Sequence, residues 1–317
     1  MKRSLWQLFN SVTPFFVFWY LAYRLLSVSY FGTLLFAFVA ALFAVRTFVI
    51  LHDCGHGSFF KAQWANDLVG RACGFLCYTP YQAWRHSHAL HHATSGDLDR
   101  RGEGDVWTLT RSEYQALPRS RRFLYRMYRW PPLLFLLAPT FAFLVLHRIP
   151  SMISAYAPRE RNSVRMTNAA LLLGVGVMVM TIGLTDYVLV QLPTVFISAS
   201  IGGWLFYVQH QYPDTYWEHH SKWSYLNAAI DGSSFYKLPK VLQWFTGNIG
   251  FHHVHHLHPR IPNYFLEPCH NELDDAFTAI QPLTLVSSLK CLRVALWDES
   301  RMKLVDFRTH MKTPGNR

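Results

Sequence analysis

The sequence FGTLLFAFVAALFAVRTFVILHDCGH, at residues 31–56, joins an apolar run to two histidines. The apolar part, residues 31–51, has the length of about 20 residues that an α-helix needs to cross a bilayer. His52 and His56 follow it four residues apart, so a helix that continues past the run presents both imidazoles on one face. The stretch therefore predicts a membrane helix that ends in a pair of metal-ligand candidates.

Similar apolar runs occupy residues 13–29, 167–185 and 187–208. Almost nothing separates 13–29 from 31–51, and only Asp186 separates the two later runs. Each run is long enough to cross the bilayer, and joints this short bring the chain straight back through it. We therefore expect four membrane spans, arranged as two antiparallel helical hairpins.

Two weaker apolar stretches and two arginines modify this scheme. Residues 65–82 are mildly apolar but carry charges, which favours an interfacial helix. Residues 131–147 contain three prolines, which damage a regular helix, so we expect a re-entrant or interfacial segment there. Arg24 and Arg46 lie off-centre in the first hairpin, and we expect both side chains to snorkel towards the headgroups.

The distribution of charge sets the orientation of the hairpins. Eight arginines lie in residues 100–129, whereas the joints at 30 and 186 carry neither Lys nor Arg. Because positive residues stay on the cytoplasmic side, both termini and the large loops are predicted to be cytoplasmic. The bacterial inner membrane is the expected location, with the active site on its cytoplasmic side.

The predicted fold is an all-α integral membrane protein with a single domain over residues 1–317. Four transmembrane helices in two hairpins carry a cytoplasmic helical cap that holds a metal site. The tail at 297–317 is polar, and we expect it to be loosely held. Lys2 and Arg3 precede the first run without a small-residue cleavage site, which indicates an anchor rather than a signal peptide.

Composition agrees with a membrane protein. Hydrophobic residues make up 51% of the chain and charged residues 15%, below the ~25% of soluble domains. The net charge of +11 is compatible with nucleic acid, an anionic membrane or acidic partners, and the apolar runs favour membrane lipids over nucleic acid. Five cysteines without a CxxC pair indicate reduced, packed thiols.

Histidine is the unusual component, with 17 residues, many of them in tight clusters. HALHH at 88–92 and HHVHH at 252–256 each place three imidazoles at i, i+3 and i+4 on a helix. An isolated histidine directly follows the last apolar run. The candidate ligands are His52, His56, His88, His91, His92, His210, His252, His255 and His256. We expect His86, His147, His219, His220, His253, His258, His270 and His310 to be bystanders.

Neutral imidazole is a ligand for Fe, Zn, Cu and Ni, and an outer acceptor can fix its second nitrogen. Eight or nine imidazoles are too many for one ion, so the pattern predicts two. An iron pair can activate oxygen, whereas a zinc pair polarises water or a carbonyl, and the residues leave this choice open. Among the acidic residues near the clusters, Asp105 and Asp231 are favoured as outer acceptors over Asp53, Asp99, Asp214 and Glu218.

Four segments resemble the membrane fatty acid desaturase family. They are HDCGH, WRHSHALHHATSGDLDRRGEGDVW, FYVQHQYPDTYW and GNIGFHHVHHLHPRIPNY, and with the paired spans they cover most of residues 10–270. The resemblance implies a di-iron centre whose ligands are the nine candidate histidines. It is closest to bacterial acyl-lipid desaturases of the Δ12 (omega-6) type. One departure concerns a water-binding Asn of stearoyl-CoA desaturases, which here is Phe206.

The resemblance implies an O2-dependent enzyme that places a cis double bond in a fatty-acyl lipid. No haem, flavin or iron–sulfur motif is present in the sequence, so a separate ferredoxin or cytochrome b5-like electron donor is implied. Residues 100–129 could dock an acidic donor, although cytoplasmic positive charge is the favoured interpretation.

Other functions remain open at this stage. The same histidines would serve a membrane hydroxylase, ketolase or epoxidase acting on a lipid or hydrocarbon. A non-enzymatic membrane protein that binds metal or haem is a further alternative. Haem ligands and transport sites belong near the middle of the membrane, whereas these histidines cluster at the ends of the spans, which argues against both.

Overall fold

The computed structural model describes residues 1–102, 104–150, 157–273, 277 and 280–308. The long helices are called the membrane part, and the short helices with a small sheet are called the cap. The helices are α1 (Lys2–Leu25), α2 (Tyr30–His56), α3 (Gln63–Leu76), α4 (Tyr81–Thr94), α5 (Arg111–Ala116), α6 (Arg119–Tyr128), α7 (Ala138–Leu144), α8 (Pro158–Ile182), α9 (Leu184–His210), α10 (Tyr225–Ile230), α11 (Lys240–Phe245), α12 (His252–Leu257), α13 (Asn263–Glu272) and α14 (Leu285–Ser288). The strands are β1 (Leu109–Thr110), β2 (Leu296–Asp298) and β3 (Lys303–Val305).

Among the described residues, three helices are long and apolar enough to cross a membrane, namely α2, α8 and α9. The predicted span at 13–29 lies largely in α1, which ends at Leu25 and is not among the three. The first half of α1 buries Ser4, Gln7 and Ser11, polar residues that lower its hydropathy. The fourth span of the prediction is therefore not confirmed.

The joint between the two later long helices lies three residues before the predicted one. Helices α8 and α9 meet at Gly183, whose φ of +86° and ψ of 154° suit a residue without a Cβ. Asp186 lies in the first turn of α9 instead, where a carboxylate faces the positive end of the helix dipole. The pair of long helices was predicted correctly, and the position of the joint was wrong.

The expectation that Arg46 snorkels is wrong. Its side chain is buried, donates a hydrogen bond to the carbonyl oxygen of Trp244 and lies 3.9 Å from the centre of the Trp244 ring. The cap helix α11 thus covers this arginine, which needs no path to the headgroups. Arg24 is exposed and hydrogen bonds to the hydroxyl of Tyr20 at 3.0 Å.

The two weaker apolar stretches are broken in the structure. Residues 65–82 fall on α3, a following turn and the start of α4. Residues 131–147 fall on a π-helical turn at Leu133–Leu137, α7 and a 3-10 turn at Leu146–Arg148. The segment Leu133–Arg148 meets α6 at a bend of 60°, a shape that suits a broken span or a re-entrant loop. The re-entrant interpretation stays a prediction.

The structure is mostly helical, as predicted, and it also contains a small sheet. Strand β2 pairs with β1 in parallel and with β3 antiparallel, which gives the order β1–β2–β3. Trp297 of β2 and Leu304 of β3 are buried in one cluster with Leu98 and Trp217. The expectation of a loose tail from residue 297 is therefore wrong as far as β3, because these two apolar side chains anchor the hairpin. His310 and the rest of 309–317 lie outside the described residues.

Candidate metal centre

The first two histidines lie one turn apart at the end of α2. Gly57, with a φ of +67°, adopts the left-handed conformation that ends this helix directly after His56. Gly55 lets α4 pack closely against α2, because a Cβ at this position would lie only 2.9 Å from the ring of Trp84 in α4. The end of α2 therefore places both imidazoles beside α4, the helix that carries the next histidine cluster.

Three other elements bring the remaining candidates to the same place. Helix α4 carries HALHH, α12 carries HHVHH, and His210 is the last residue of α9. All nine predicted ligands converge, and their imidazole nitrogens form two groups in which the ligand atoms lie within 4.8 Å of one another. The first group is His52, His56, His88, His92 and His255, and the second is His91, His210, His252 and His256.

Distances in the first group match the edges of a coordination shell. His92 Nε2 lies 3.2 Å from His88 Nε2 and 3.0 Å from His255 Nε2. Ligands at the ~2.0–2.1 Å of zinc–imidazole bonds would be about 3 Å apart at neighbouring corners of an octahedron. Among the described residues, the buried Nε2 atoms of His52 and His56 have no hydrogen-bond partner. These nitrogens are free to accept a cation.

The hydrogen bonds of the second group suit a bound cation. His91 Nδ1 lies 2.7 Å from a carboxylate oxygen of Asp105, and His210 Nδ1 lies 3.0 Å from the carbonyl oxygen of Gly232. A carboxylate oxygen and a carbonyl oxygen both accept hydrogen bonds, so each Nδ1 is placed to donate, and the lone pair of a neutral ring then lies on Nε2. Those two Nε2 atoms are 3.1 Å apart. A metal ion would remove the repulsion between their lone pairs.

Burial favours the neutral, metal-binding form of five of the imidazoles. Burial is the first cause, and neighbouring imidazoles the second, that lower the pKa of two ligand candidates on α4 and three on α12 well below the usual value for histidine. A metal ligand must be deprotonated, so this shift favours metal binding. The residues with this shift are His88, His92, His252, His255 and His256.

Of the two carboxylates favoured as outer acceptors, one is found beside a candidate ligand and the other is exposed. Asp105 contacts His91 as expected, whereas Asp231 is exposed and its backbone carbonyl accepts from the amide of Tyr216 at 3.0 Å. The neighbouring Gly232 supplies the carbonyl that orients His210. Backbone acceptors carry no signature in the sequence, so residue type could not have identified this one.

Asp53 has a larger role than the sequence indicated. One of its oxygens lies 3.2 Å from His52 Nδ1, and the other accepts from the backbone and side-chain nitrogens of Asn263 at 2.7 and 2.8 Å. The side chain of Asn263 accepts in turn from Gln7 at 2.9 Å. This buried network ties α1 and α13 to His52, the first candidate ligand of α2.

The predicted bystanders lie outside both groups wherever they are described. His219 and His220 bond to the carboxylates of Asp99 and Asp97 at 2.9 and 2.8 Å on the surface. His86 and His258 are exposed, and His147 lines the cavity described below. His253 and His270 form a buried pair with 3.0 Å between their ring nitrogens, which packs α12 against α13.

We predict that Asp105→Ala lowers metal affinity by roughly 10- to 100-fold, because His91 loses the acceptor that orients its ring. The measurement is metal retention during titration with a chelator. Asp231→Ala is the matched control, since it removes an acidic side chain of the same cap without touching a ligand. Equal metal retention in both variants would remove Asp105 from the site.

An apolar cavity of about 470 Å³ leads from the histidines into the membrane part. Its lining includes His88 and His91 of α4, Tyr78 in the turn after α3, and Gln191 of α9. From Gln191 to Phe206, α9 lines it over a length of roughly 22 Å, at about 1.5 Å per residue. The ring of Phe206 lies 5.4 Å from that of His91, so an apolar side chain stands beside the second group.

Comparison with known proteins agrees with these features. The family model described as fatty acid desaturase matches residues 27–284. Over 313 residues the chain is 47% identical to a protein named "Fatty acid desaturase" from Bacillus subtilis (strain 168), covering 99% of this chain and 88% of that protein.

Cyanobacterial relatives are more distant. The "sn-1 oleoyl-lipid 12-desaturase" of Synechocystis sp. (strain ATCC 27184 / PCC 6803 / Kazusa) is 28% identical over 245 residues, 72% of this chain and 64% of that protein. The "sn-1 acyl-lipid omega-3 desaturase (ferredoxin)" of Nostoc sp. (strain 36) is 29% identical over 232 residues, 69% and 61% of the two chains. With its histidine groups and apolar cavity, the chain belongs to the fatty acid desaturase family, a family of oxidoreductases.

Proposed function

We propose that the protein inserts a cis double bond into a lipid-linked acyl chain in an O2-dependent reaction, with Δ12 (omega-6) specificity. The observation that carries this proposal is the apolar cavity that ends at two groups of closely spaced imidazoles. Family membership supports desaturation, and the named activity of the Synechocystis relative supports the Δ12 assignment.

The metal ions in this proposal are two irons, one for each histidine group. The donor set suits them, because buried neutral imidazoles with unshared Nε2 lone pairs are ligands for first-row metals. When bound, the iron pair supplies the reductive activation of O2 that removes hydrogen from an unactivated carbon. The protein's own contribution is the position and protonation of the nine imidazoles.

The cavity determines which carbon reacts. Its apolar walls exclude water and hold the acyl chain extended, so that one pair of methylenes lies beside the histidines. His52 and His252 lie at the reactive end of the cavity, and Phe206 shapes the wall between them and the membrane part. The distance from His52 and His252 to the far end of the cavity would set the position of the double bond.

The remaining elements of the proposal concern the partners and the location. A separate ferredoxin or cytochrome b5-like protein supplies electrons, a proposal supported by the Nostoc relative, whose name includes ferredoxin. The bacterial inner membrane is the proposed location, with the histidines on the cytoplasmic side. The arginine-rich segment 100–129 supports this orientation.

A test is expression in a bacterial host that lacks polyunsaturated lipids, followed by mass spectrometry of derivatised fatty acids. We expect a new double bond at carbon 12 of chains that already carry one nearer the carboxyl end. A double bond at another carbon would reject the Δ12 assignment but keep desaturation. Accumulation of hydroxy, keto or epoxy lipids without a new double bond would contradict desaturation.

A further inference from the structure

Helix α6, with the sequence RSRRFLYRMY, contains four arginines and no acidic residue. Its apolar side chains are unusually exposed for a helix that packs on a cap. Phe123 is 62% exposed, Leu124 60% and Met127 40%, whereas Tyr125 is completely buried. The helix therefore presents a positively charged and apolar surface outwards.

The side chains are ordered around the helix. At about 100° per residue, the three exposed apolar residues lie within an arc of about 100°, and Tyr125 lies on the opposite side. Arg119 and Arg126 border this arc on one edge, and Arg121 lies beyond the other edge. A helix parallel to a membrane surface has this arrangement, with an apolar face in the acyl region and cations at the level of the headgroups.

Only two of the four arginines form side-chain hydrogen bonds among the described residues. Arg122 donates to the backbone oxygens of Leu117 and Gln115, and Arg126 donates to the hydroxyl of Tyr114. Within the described part of the chain, no hydrogen bond or ion pair holds Arg119 or Arg121, and Arg119 is exposed like its neighbours. These two cations are available to an outside partner.

Other arginines of the same segment are neutralised inside the protein. Arg101 pairs with Glu113 at 2.5 Å, and Arg111 pairs with Asp298 at 2.7 Å. Positive charge is therefore left uncompensated on α6 rather than spread evenly over residues 100–129. The external partner should carry negative charge that reaches α6 itself.

The chain that follows α6 leads into the membrane part. The segment Leu133–Arg148 and α6 are together long and apolar enough to cross a membrane, and they meet at a bend of 60°. Phe135 packs 4.9 Å from the ring of Tyr207 in α9, and Phe143 lines the apolar cavity. The exposed face of α6 is thus continuous with the part of the protein that lies among lipid tails.

We propose that α6 is an interfacial helix that binds the headgroups of anionic phospholipids through Arg119 and Arg121, with Phe123, Leu124 and Met127 inserted among the tails. An acidic electron-donor protein would complement the charge but would leave three large apolar side chains beside polar groups. An anionic lipid satisfies both features. Resting on the proposed function, the same site would hold lipid-linked acyl chains next to the cavity wall.

The experiment places the full-length protein in nanodiscs of equal parts phosphatidylglycerol and phosphatidylcholine. After extraction with mild detergent, mass spectrometry measures the ratio of the two lipids that remain bound. We expect enrichment of phosphatidylglycerol by the wild-type protein and a loss of roughly tenfold in Arg119→Gln/Arg121→Gln, since each cation near an anionic surface contributes to binding. Arg119→Lys/Arg121→Lys should retain the enrichment.

The matched control is Arg301→Gln/Lys303→Gln, which removes the same charge from the exposed side of the β2–β3 hairpin. Unchanged enrichment in Arg119→Gln/Arg121→Gln, or an equal loss in the control, would overturn the proposal. A normal lipid ratio with slower reduction by an acidic ferredoxin would assign the surface to the donor instead. The lipid ratio needs no turnover, so failure of the desaturase assignment would leave this test intact.

Discussion

Replacement of His210 by alanine is expected to abolish turnover and to lower the metal content to about one ion per chain. The Nε2 atom of His210 lies 3.1 Å from that of His91 and 2.9 Å from that of His252, so it stands between two other members of its group. Loss of an outer acceptor alone costs ~10- to 100-fold in affinity or activity, and loss of a ligand should cost more. The first group keeps all its imidazoles in this variant.

His220→Ala provides the comparison for this variant. His220 is exposed at the surface, where it bonds to Asp97 and accepts from Arg100, and it contacts neither group. Product yield, measured with metal content and a folding check by size-exclusion chromatography, should stay close to wild type. Near-normal product from a well-expressed His210→Ala protein would return His210 to the bystanders.

Filling the cavity is expected to stop turnover without loss of metal. Gly202 lines the cavity, and a Cβ added there would meet no atom within 4 Å. In Gly202→Phe the ring therefore enters the space that the proposed function gives to the acyl chain. A substrate displaced by even 1 Å can react roughly 100-fold more slowly, so we expect at least this loss in product formation.

The control for a blocked cavity is Gly176→Phe. Gly176 also lies in a long apolar helix with no atom within 4 Å of an added Cβ, but it does not line the cavity. Both variants should bind metal like the wild type, because neither position touches a histidine. If Gly202→Phe forms product at the normal rate, the acyl chain does not occupy this cavity.

The convergence of the nine candidate ligands could be predicted because metal chemistry leaves a local signature in the sequence. Imidazoles at i, i+3 and i+4 share a helix face whatever the rest of the fold does, and the apolar run before His52 fixes which end of a span they occupy. His210 lacked this spacing and was found from its position after the last apolar run. The structure divides the nine into groups of five and four, a division that no spacing in the sequence reveals.

The errors arose where tertiary contacts outweigh local composition. Arg46 is covered by Trp244, which lies almost two hundred residues later in the chain. The expectation that Arg46 snorkels used only its position within an apolar run and could not include this contact. Trp297 and Leu304 lie in a mainly polar tail, yet their burial with Leu98 and Trp217 forms a sheet. The carbonyl of Gly232 that orients His210 is a backbone atom, and residue type does not report it.

The most direct test of the central claim is the metal content of purified, active protein. Inductively coupled plasma mass spectrometry of protein from iron-replete cells, combined with a turnover assay on the same sample, measures both quantities. The account predicts two iron ions per chain, one for each histidine group. Active protein that contains stoichiometric zinc and little iron would contradict it.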